Sequence, residues 1–93
     1  MAEPALAALL RSGRLIALGQ TFVTAEGWQE LAARLRAELQ SYHRMYPLRA
    51  GMPKEELRMR SRLNGRAFAE ALSRLVQAGV LVDSGTTVRL PEH

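Results

Sequence analysis

Apolar residues recur at three- and four-residue intervals in several stretches of the chain, which is the pattern of helices with one buried face. The first such stretch covers residues 4–11. Pro4 falls in its first turn, where a missing N–H group costs nothing, and Gly13 follows as a stop signal. The predicted apolar face of this helix consists of three leucines: Leu6, Leu9 and Leu10.

A second and longer helix is predicted from Thr24 to about His43. The Thr24 hydroxyl can accept a hydrogen bond from a backbone N–H group of the first turn, which is a common way to cap a helix. The apolar positions then keep the helical spacing along the whole segment. They are Trp28, Leu31, Ala32, Leu35, Leu39 and Tyr42.

Pro47 and Gly51 interrupt the helical pattern and predict a loop. Within this loop we expect Leu48 to form a one-residue bridge to a sheet. Pro53 can open a short helix that ends near Arg60, because proline is tolerated at the first helical position.

Asn64 can cap a last helix over residues 65–78, which Gly79 ends. The side chains expected to point inward from this helix are Phe68, Leu72, Leu75 and Val76. The three residues 61–63 have the right length for the turn between two paired helices.

Two segments rich in branched and aromatic residues predict β-hairpins. The first hairpin pairs residues 14–18 with 20–23 around Gly19. The second pairs residues 80–82 with 87–90 around a turn at residues 83–85. From residue 25 onward the order is helix, loop, short helix, turn, helix and hairpin. This order predicts an α+β fold, mainly α with small antiparallel β wings, of the winged helix-turn-helix type.

The chain also contains an internal repeat with an offset of 66 positions. Moving residues 5–23 forward by this offset brings seven identical residues together without a gap. The identities are Ala5 with Ala71, Leu6 with Leu72, Leu9 with Leu75, Gly13 with Gly79, Leu15 with Leu81, Gly19 with Gly85, and Thr21 with Thr87. A chance similarity between two helix–glycine–hairpin segments is the alternative.

On the repeat interpretation, residues 1–23 are the final helix and wing of a preceding winged helix, and residues 24–93 are a complete second copy. We therefore expect a tandem array in which Met1 is an artificial boundary rather than a natural start. The first helix must then cover its leucines elsewhere, either against the long helix or against a second chain as a dimer.

The charge balance is basic, with 13 Lys and Arg against 9 Asp and Glu, and Lys54 is the single lysine. Arginine makes forked contacts with phosphate and guanine, so this bias favours nucleic-acid binding. Enrichment of Arg and Ala by a GC-rich genome explains the composition equally well. The absence of cysteine excludes disulfides and thiolate metal sites. No apolar run approaches the roughly 20 residues of a membrane span, no secretory signal is recognised, and we expect a cytoplasmic protein.

The segment from His43 to Arg58 resembles the C-terminal winged-helix region of the bacterial selenocysteine-specific elongation factor SelB. The resemblance covers most of the chain, and residues 88–93 look like the end of such a repeat. The matching positions are His43, Pro47, Leu48, Gly51, Met52, Glu56, Leu57 and Arg58.

This resemblance implies a role in inserting selenocysteine at recoded stop codons. The family's full-length protein is a GTPase resembling EF-Tu, which uses GTP and magnesium and carries tandem winged helices that bind a messenger-RNA hairpin. The last winged helices chiefly hold the hairpin, so an internal repeat is expected to act more as a spacer. The chain has no Gly-x-x-x-x-Gly-Lys-Ser/Thr loop, so we expect no cofactor and no catalysis here.

The candidate nucleic-acid contacts belong to the paired helices and the wing. In this motif the N-terminal end of the second helix normally faces the nucleic acid, and its free N–H groups can bind an anion. Among these residues we expect Arg62 and Arg66 in particular to contact phosphate. The full set is Lys54, Arg58, Arg60, Arg62, Asn64, Arg66 and Arg89.

The alternative for these cations is a solvated face with local ion pairs. Arg58 is three residues from Glu55, and Arg66 is four residues from Glu70, which are both spacings that allow pairing on a helix. The binding hypothesis also places Arg74 on the last helix. For Arg58 and Arg74 we prefer the alternative of a solvated face with local pairs.

Other polar and aromatic residues are assigned structural roles. His43 lacks a second metal ligand nearby, and a charge favourable to the helix C-terminus accounts for it. Glu55 and Glu56 stabilise a helix start, and Trp28 belongs to the apolar stripe rather than to a base-stacking surface. Three methionines are expected to fill gaps in the core: Met45, Met52 and Met59.

Three functional hypotheses follow. The first is an RNA-binding or linking module of a SelB-like factor, whose partners are an mRNA hairpin or the ribosome and the neighbouring winged helices. The second is a DNA-binding transcription regulator, and the third is a protein-interaction module, since many winged helices never contact nucleic acid.

Overall fold

The computed structural model describes residues 5–93, so the predicted place of Pro4 in the first helical turn lies outside the described residues. This part of the chain folds into helices and short strands in the predicted order. The elements are α1 (Ala5–Arg11), β1 (Leu15–Leu18), β2 (Thr21–Thr24), α2 (Ala25–Met45), β3 (Met52–Pro53), α3 (Lys54–Ser61), α4 (Gly65–Gln77), β4 (Val82–Asp83) and β5 (Thr87–Arg89). None of the helices within residues 5–93 is long and apolar enough to cross a membrane.

Helix α2 forms the spine of the fold, and its sequence accounts for both ends. The Thr24 hydroxyl accepts a hydrogen bond of 2.9 Å from the N–H group of Gly27, which confirms the predicted cap. The helix ends two residues beyond His43, where the loop containing Pro47 begins. Its buried stripe matches the predicted spacing and includes Leu31, Leu35, Leu39 and Tyr42.

Helices α3 and α4 form the helix-turn-helix pair. The turn between them contains Arg62, which adopts a left-handed backbone conformation with φ of 63° at the C-terminal cap of α3. Asn64 then caps α4, because its side-chain oxygen accepts a hydrogen bond of 2.8 Å from the N–H group of Ala67. The guanidinium group of Arg34 on α2 donates to the carbonyl of Ser61 at 3.0 Å, which ties this turn to the spine.

The wing is a three-stranded antiparallel sheet in the order β3–β5–β4. Met52 pairs with Val88, and Val82 pairs with Arg89. Gly51 allows the close approach of β5, since a Cβ at this position would lie 2.7 Å from the carbonyl oxygen of Val88.

The prediction that Leu48 bridges to a sheet is wrong. The N–H group of Arg49 donates to the carbonyl of Tyr46, and this tight turn directs the fully exposed Leu48 into solvent. The strand that adds to the wing comes four residues later, at Met52. The first strand of the second hairpin also starts later than predicted, because the N–H groups of Val80 and Leu81 still donate to the end of α4.

The core differs from prediction at three exposed apolar residues. Val76 lies 37% exposed, and the inward face of α4 is completed by Ala67 and Ala71 instead. Met52 is fully buried as predicted, but Met45 and Met59 are each 67% exposed. At these two positions a small alanine side chain, unlike a larger one, leaves room for other elements to pack closely against the buried face of α4.

The first hairpin belongs to the same core. Leu18, the last residue of β1, has no exposed surface and lies in the buried cluster together with the leucines of α2 and α4. Helix α1 instead leans on β1 and contributes no buried residue in Ala5–Arg11, and its Leu6 is 43% exposed. The first hairpin is thus part of the core formed with α2 and α4, whereas α1 is not buried by the described part of the chain.

The ends of α1 and α4 share one hydrogen-bond pattern. After α1, the N–H groups of Gly13 and Arg14 donate to Leu10 and Leu9. After α4, the corresponding donors are Gly79 and Val80, and the acceptors are Val76 and Leu75. Both glycines have positive φ, 80° and 77°, so both helices end in a Schellman motif at positions 66 residues apart.

The described chain is therefore mainly α with small antiparallel sheets, and its element order is that of a winged helix-turn-helix.

Candidate nucleic-acid interface

The predicted interface begins at the turn before α4. Arg62, Asn64 and Arg66 are all exposed and lie within five residues around the start of this helix. The Asn64 side-chain oxygen is occupied as the cap, whereas the guanidinium groups of Arg62 and Arg66 form no ion pair or hydrogen bond within residues 5–93. Two uncompensated positive charges therefore remain available here.

The turn of the first hairpin lies beside this site. A Cβ added to Gly19 would come within 2.9 Å of Cγ of Arg66 and 3.5 Å of the backbone nitrogen of Ala67. The Ala67 N–H group already donates to Asn64, so the expected backbone anion site has one donor fewer. The basic side chains of Arg62 and Arg66 add to the positive potential of this helix start.

The predicted cations of α3 are compensated by carboxylates. The ammonium group of Lys54 lies 2.9 Å from Asp83 on β4 and lowers the pKa of that carboxyl, helped by the N–H group of Gly85. Nε of Arg58 donates to Glu55 at 2.8 Å, so the pairing indicated by the spacing is present. This hydrogen bond lowers the pKa of Glu55.

Arg60 is the most strongly held of these cations. Its two terminal nitrogens each approach a carboxylate oxygen at 2.6 Å, one from Glu38 on α2 and one from Glu56 on α3. The side chain therefore bridges two helices. An arginine placed between two carboxylates has little positive potential left for phosphate, and its role is to connect α3 with α2.

The side chain of Arg89 is bound by the final segment of the chain. Nη1 of this side chain donates to the carbonyl oxygens of Leu90, Pro91 and His93 at 3.2–3.4 Å. The guanidinium group thereby holds the final segment against β5. The predicted site residues thus fall into a free pair at the start of α4, a compensated group on α3, and a structural arginine on the wing.

His43 has a different role from the one predicted. It is buried, its Nε2 accepts a hydrogen bond of 3.2 Å from the N–H group of Leu90, and its ring stacks on His93 at 3.7 Å. Burial, followed by the charge of His93, lowers the pKa of His43. A ring that accepts a hydrogen bond at Nε2 is neutral, so the predicted favourable charge at the helix C-terminus is wrong.

Sequence reasoning assigned no role to Arg49, whose guanidinium carbon lies 4.2 Å from the ring centre of Tyr46. The signal that could have found this contact is a proline turn that separates an aromatic residue from an arginine three positions later. Within residues 5–93, no three His, Cys, Asp or Glu side chains are grouped as metal ligands.

Comparison with protein-family models matches residues 36–90 to the family described as elongation factor SelB, winged helix. The match covers more than half of the 93 residues, including the second half of α2, the helix pair and the wing. The search of curated proteins gives no significant match.

Proposed function

The chain belongs to the winged-helix family of elongation factor SelB, and from this premise we propose that it is a non-catalytic module through which the parent translation factor contacts RNA. The observation that carries the proposal is the pair of free guanidinium groups, Arg62 and Arg66, at the start of α4. Because these side chains have no carboxylate partners in the described chain, a phosphate backbone can approach them without first breaking an ion pair.

The parent protein proposed here supports selenocysteine incorporation directed by an mRNA hairpin. In this setting the module acts in the cytoplasm beside a GTPase that binds GTP and magnesium elsewhere in the parent protein. Its partners are the hairpin or the ribosome, together with neighbouring winged-helix domains. The uncompensated charge at the start of α4 is small, which fits an auxiliary contact or a spacer better than a principal hairpin-binding site.

We further propose that residues 1–23 are the C-terminal part of a preceding winged helix, whose hairpin packs through Leu18 onto the complete winged helix of residues 24–93. The shared Schellman motifs after α1 and α4, with the same 66-residue offset as the sequence identities, support this division. The poorly covered face of α1 also fits a helix that normally packs in another domain. A dimer through this helix is the alternative, and sedimentation at increasing concentration distinguishes a monomer from a dimer.

A protein-interaction role is the second candidate, and a specific groove favours it. A cavity of about 520 Å³ lies between α3, α4 and β4, with Phe68, Leu72 and Val76 among its lining residues. The cations at its rim, Lys54 and Arg58, are both paired with carboxylates. An apolar floor with compensated charges suits a protein segment better than a phosphate backbone.

The test is binding of the 93-residue chain to an RNA hairpin and to a DNA duplex of equal length at several salt concentrations. We expect tighter binding to RNA, with Arg62→Ala and Arg66→Ala each lowering the salt slope by about one. Arg58→Ala and Arg60→Ala are matched controls that remove compensated cations and should leave the slope unchanged.

Three results would contradict or redirect the proposal. A preference for duplex DNA would favour a transcription regulator. If all four arginine variants lowered the salt slope equally, the start of α4 would contribute no more to RNA binding than α3 does. If neither nucleic acid binds at low salt, the groove beside α4 becomes the functional surface, and RNA contact by this module is excluded.

A further inference from the structure

The loop after α2 carries an organised cluster of aromatic and basic side chains at the surface. The rings of Tyr42 and Tyr46 lie 4.9 Å apart at an angle of 50°, and the guanidinium group of Arg49 lies over Tyr46. Nη1 of Arg49 donates to the Tyr42 hydroxyl at 2.9 Å. Tyr42 is buried, so the base of the cluster is fixed in the core while Arg49 and Tyr46 reach solvent.

The backbone holds the cluster in this arrangement. The tight turn closed by the N–H group of Arg49 and the carbonyl of Tyr46 folds the arginine back over the ring. The ring nitrogen Nε2 of His93 donates to the carbonyl of Arg49 at 2.8 Å and fixes the other side of the turn. A planar cation held in this way retains little side-chain entropy to lose on binding.

A small cavity opens beside the cluster, with a volume of about 130 Å³. The cavity is lined by the aromatic and basic residues Tyr42, Tyr46 and Arg49, by Met45, and by the polar residues Ser41, Glu56 and Arg60. Stacking surfaces together with donors and acceptors at the edge are the features by which proteins hold an unpaired nucleobase.

We propose that this cavity binds one unpaired nucleobase of RNA, stacked against the Arg49–Tyr46 pair and contacted at its edge by the Ser41 hydroxyl or by Oε1 of Glu56, the carboxylate oxygen that does not pair with Arg60. The inference rests on the proposed function and adds a second contact, remote in sequence from the start of α4. Residues 44–51 contain two arginines and no carboxylate, so the phosphates next to the bound base meet favourable charge.

A protein partner is the competing occupant, because Leu48 at the tip of the turn is fully exposed and Met45 beside it is 67% exposed. An apolar partner would depend on Leu48, whereas a stacked base depends on the planes of Tyr46 and Arg49. Single substitutions in the same five-residue loop therefore separate the two occupants.

The experiment measures binding of single-stranded RNA that contains one 2-aminopurine, whose fluorescence falls when it stacks. We expect quenching by the wild-type chain, and a loss of about tenfold or more in affinity for Tyr46→Ala. Arg49→Lys, which keeps the charge but not the plane, should also weaken quenching. Leu48→Ala is the matched control and should bind as the wild type does, whereas Tyr46→Phe keeps the aromatic ring and should recover the binding that Tyr46→Ala loses.

The inference is overturned if the wild-type chain leaves 2-aminopurine unquenched, if Tyr46→Ala binds unchanged, or if Leu48→Ala weakens binding as much as Tyr46→Ala. The last result would mean that RNA binding depends on the loop as a whole rather than on stacking against Tyr46 and Arg49. Hairpin binding by Arg62→Ala is measured in parallel. If Arg62→Ala weakens hairpin binding and Tyr46→Ala has no effect, the proposed function stands and only the base site is refuted. If Tyr46→Ala weakens binding and Arg62→Ala has no effect, the interface at the start of α4 is refuted and the base site stands.

Discussion

The turn at Gly19 rests on the side chain of Arg66, since a Cβ on Gly19 would lie 2.9 Å from Cγ and 3.3 Å from Cδ of this arginine. Through this contact the first hairpin adjoins the start of α4, more than forty residues later in the chain. The orientation of one of the two free guanidinium groups therefore depends on a glycine outside the helix-turn-helix pair.

Gly19→Ala should lower both stability and RNA affinity. The residue has φ of 65°, a conformation that costs about 1–2 kcal/mol for a residue with a side chain, and the new methyl group also displaces Arg66. Gly13→Ala is a matched control, since its φ is 80° and its Cβ would meet nothing within 4 Å. Urea unfolding should show a larger loss for Gly19→Ala. Equal losses would mean that Arg66 moves aside without cost.

Leu18→Ala should destabilise the whole described domain rather than the first hairpin alone. Leu18 is fully buried against α2 and α4, and truncation of such a leucine typically costs about 2–5 kcal/mol. Thermal unfolding followed by circular dichroism should show one transition at a lower temperature. Phe22→Ala, at a position 45% exposed on the neighbouring strand, should cost much less. A separate early transition for the hairpin would contradict this coupling.

Arg62→Gly should separate stability from binding. Glycine adopts the left-handed conformation of position 62 without steric strain, so we expect unchanged stability or a gain of up to about 1 kcal/mol. RNA binding should weaken, because a free cation is lost. Arg62→Ala keeps the strain and should lose binding without any gain in stability. A large loss of stability in Arg62→Gly, measured by urea unfolding, would show that the side chain has a structural role instead.

Stability should fall as the pH is lowered from about 6.5, the ordinary pKa of histidine, through the lower pKa of folded His43. The sign follows because the unfolded chain takes up the proton first, while the folded ring is disfavoured as a cation by burial, His93 and Arg89, against an opposing effect of Glu92. His43→Gln can still accept from the N–H group of Leu90 and should flatten this dependence. An unchanged pH profile of unfolding in this variant would assign the dependence to other groups.

Much of the fold could be predicted because its determinants are local. The caps at Thr24 and Asn64 and the stops at Gly13 and Gly79 act within a few residues, so the ends of the helices were visible in the chain itself. The apolar spacing of α2 identified its buried side for the same reason. The string from His43 to Arg58 indicated the family that the match over residues 36–90 establishes.

The failed predictions concern residues whose environment depends on distant segments. Leu48 looked like a strand residue, but the strand that pairs with β5 needs Gly51 at the point of closest approach. His43 looked like a helix-end charge, but the final segment buries it beneath His93 and supplies a donor from Leu90. Neither outcome follows from neighbours in sequence.

For the candidate interface, too, some properties follow from the sequence and others only from the tertiary structure. The sequence by itself determined that basic side chains cluster around the helix pair, because residue type and helical spacing are local properties. Only the tertiary structure decided which of them stay free, since the carboxylates that compensate Lys54 and Arg60 come from β4 and α2, and the turn beside Arg66 comes from the first hairpin. Charge compensation requires contact within a few ångströms, and contacts between segments far apart in sequence exist only after the chain has folded.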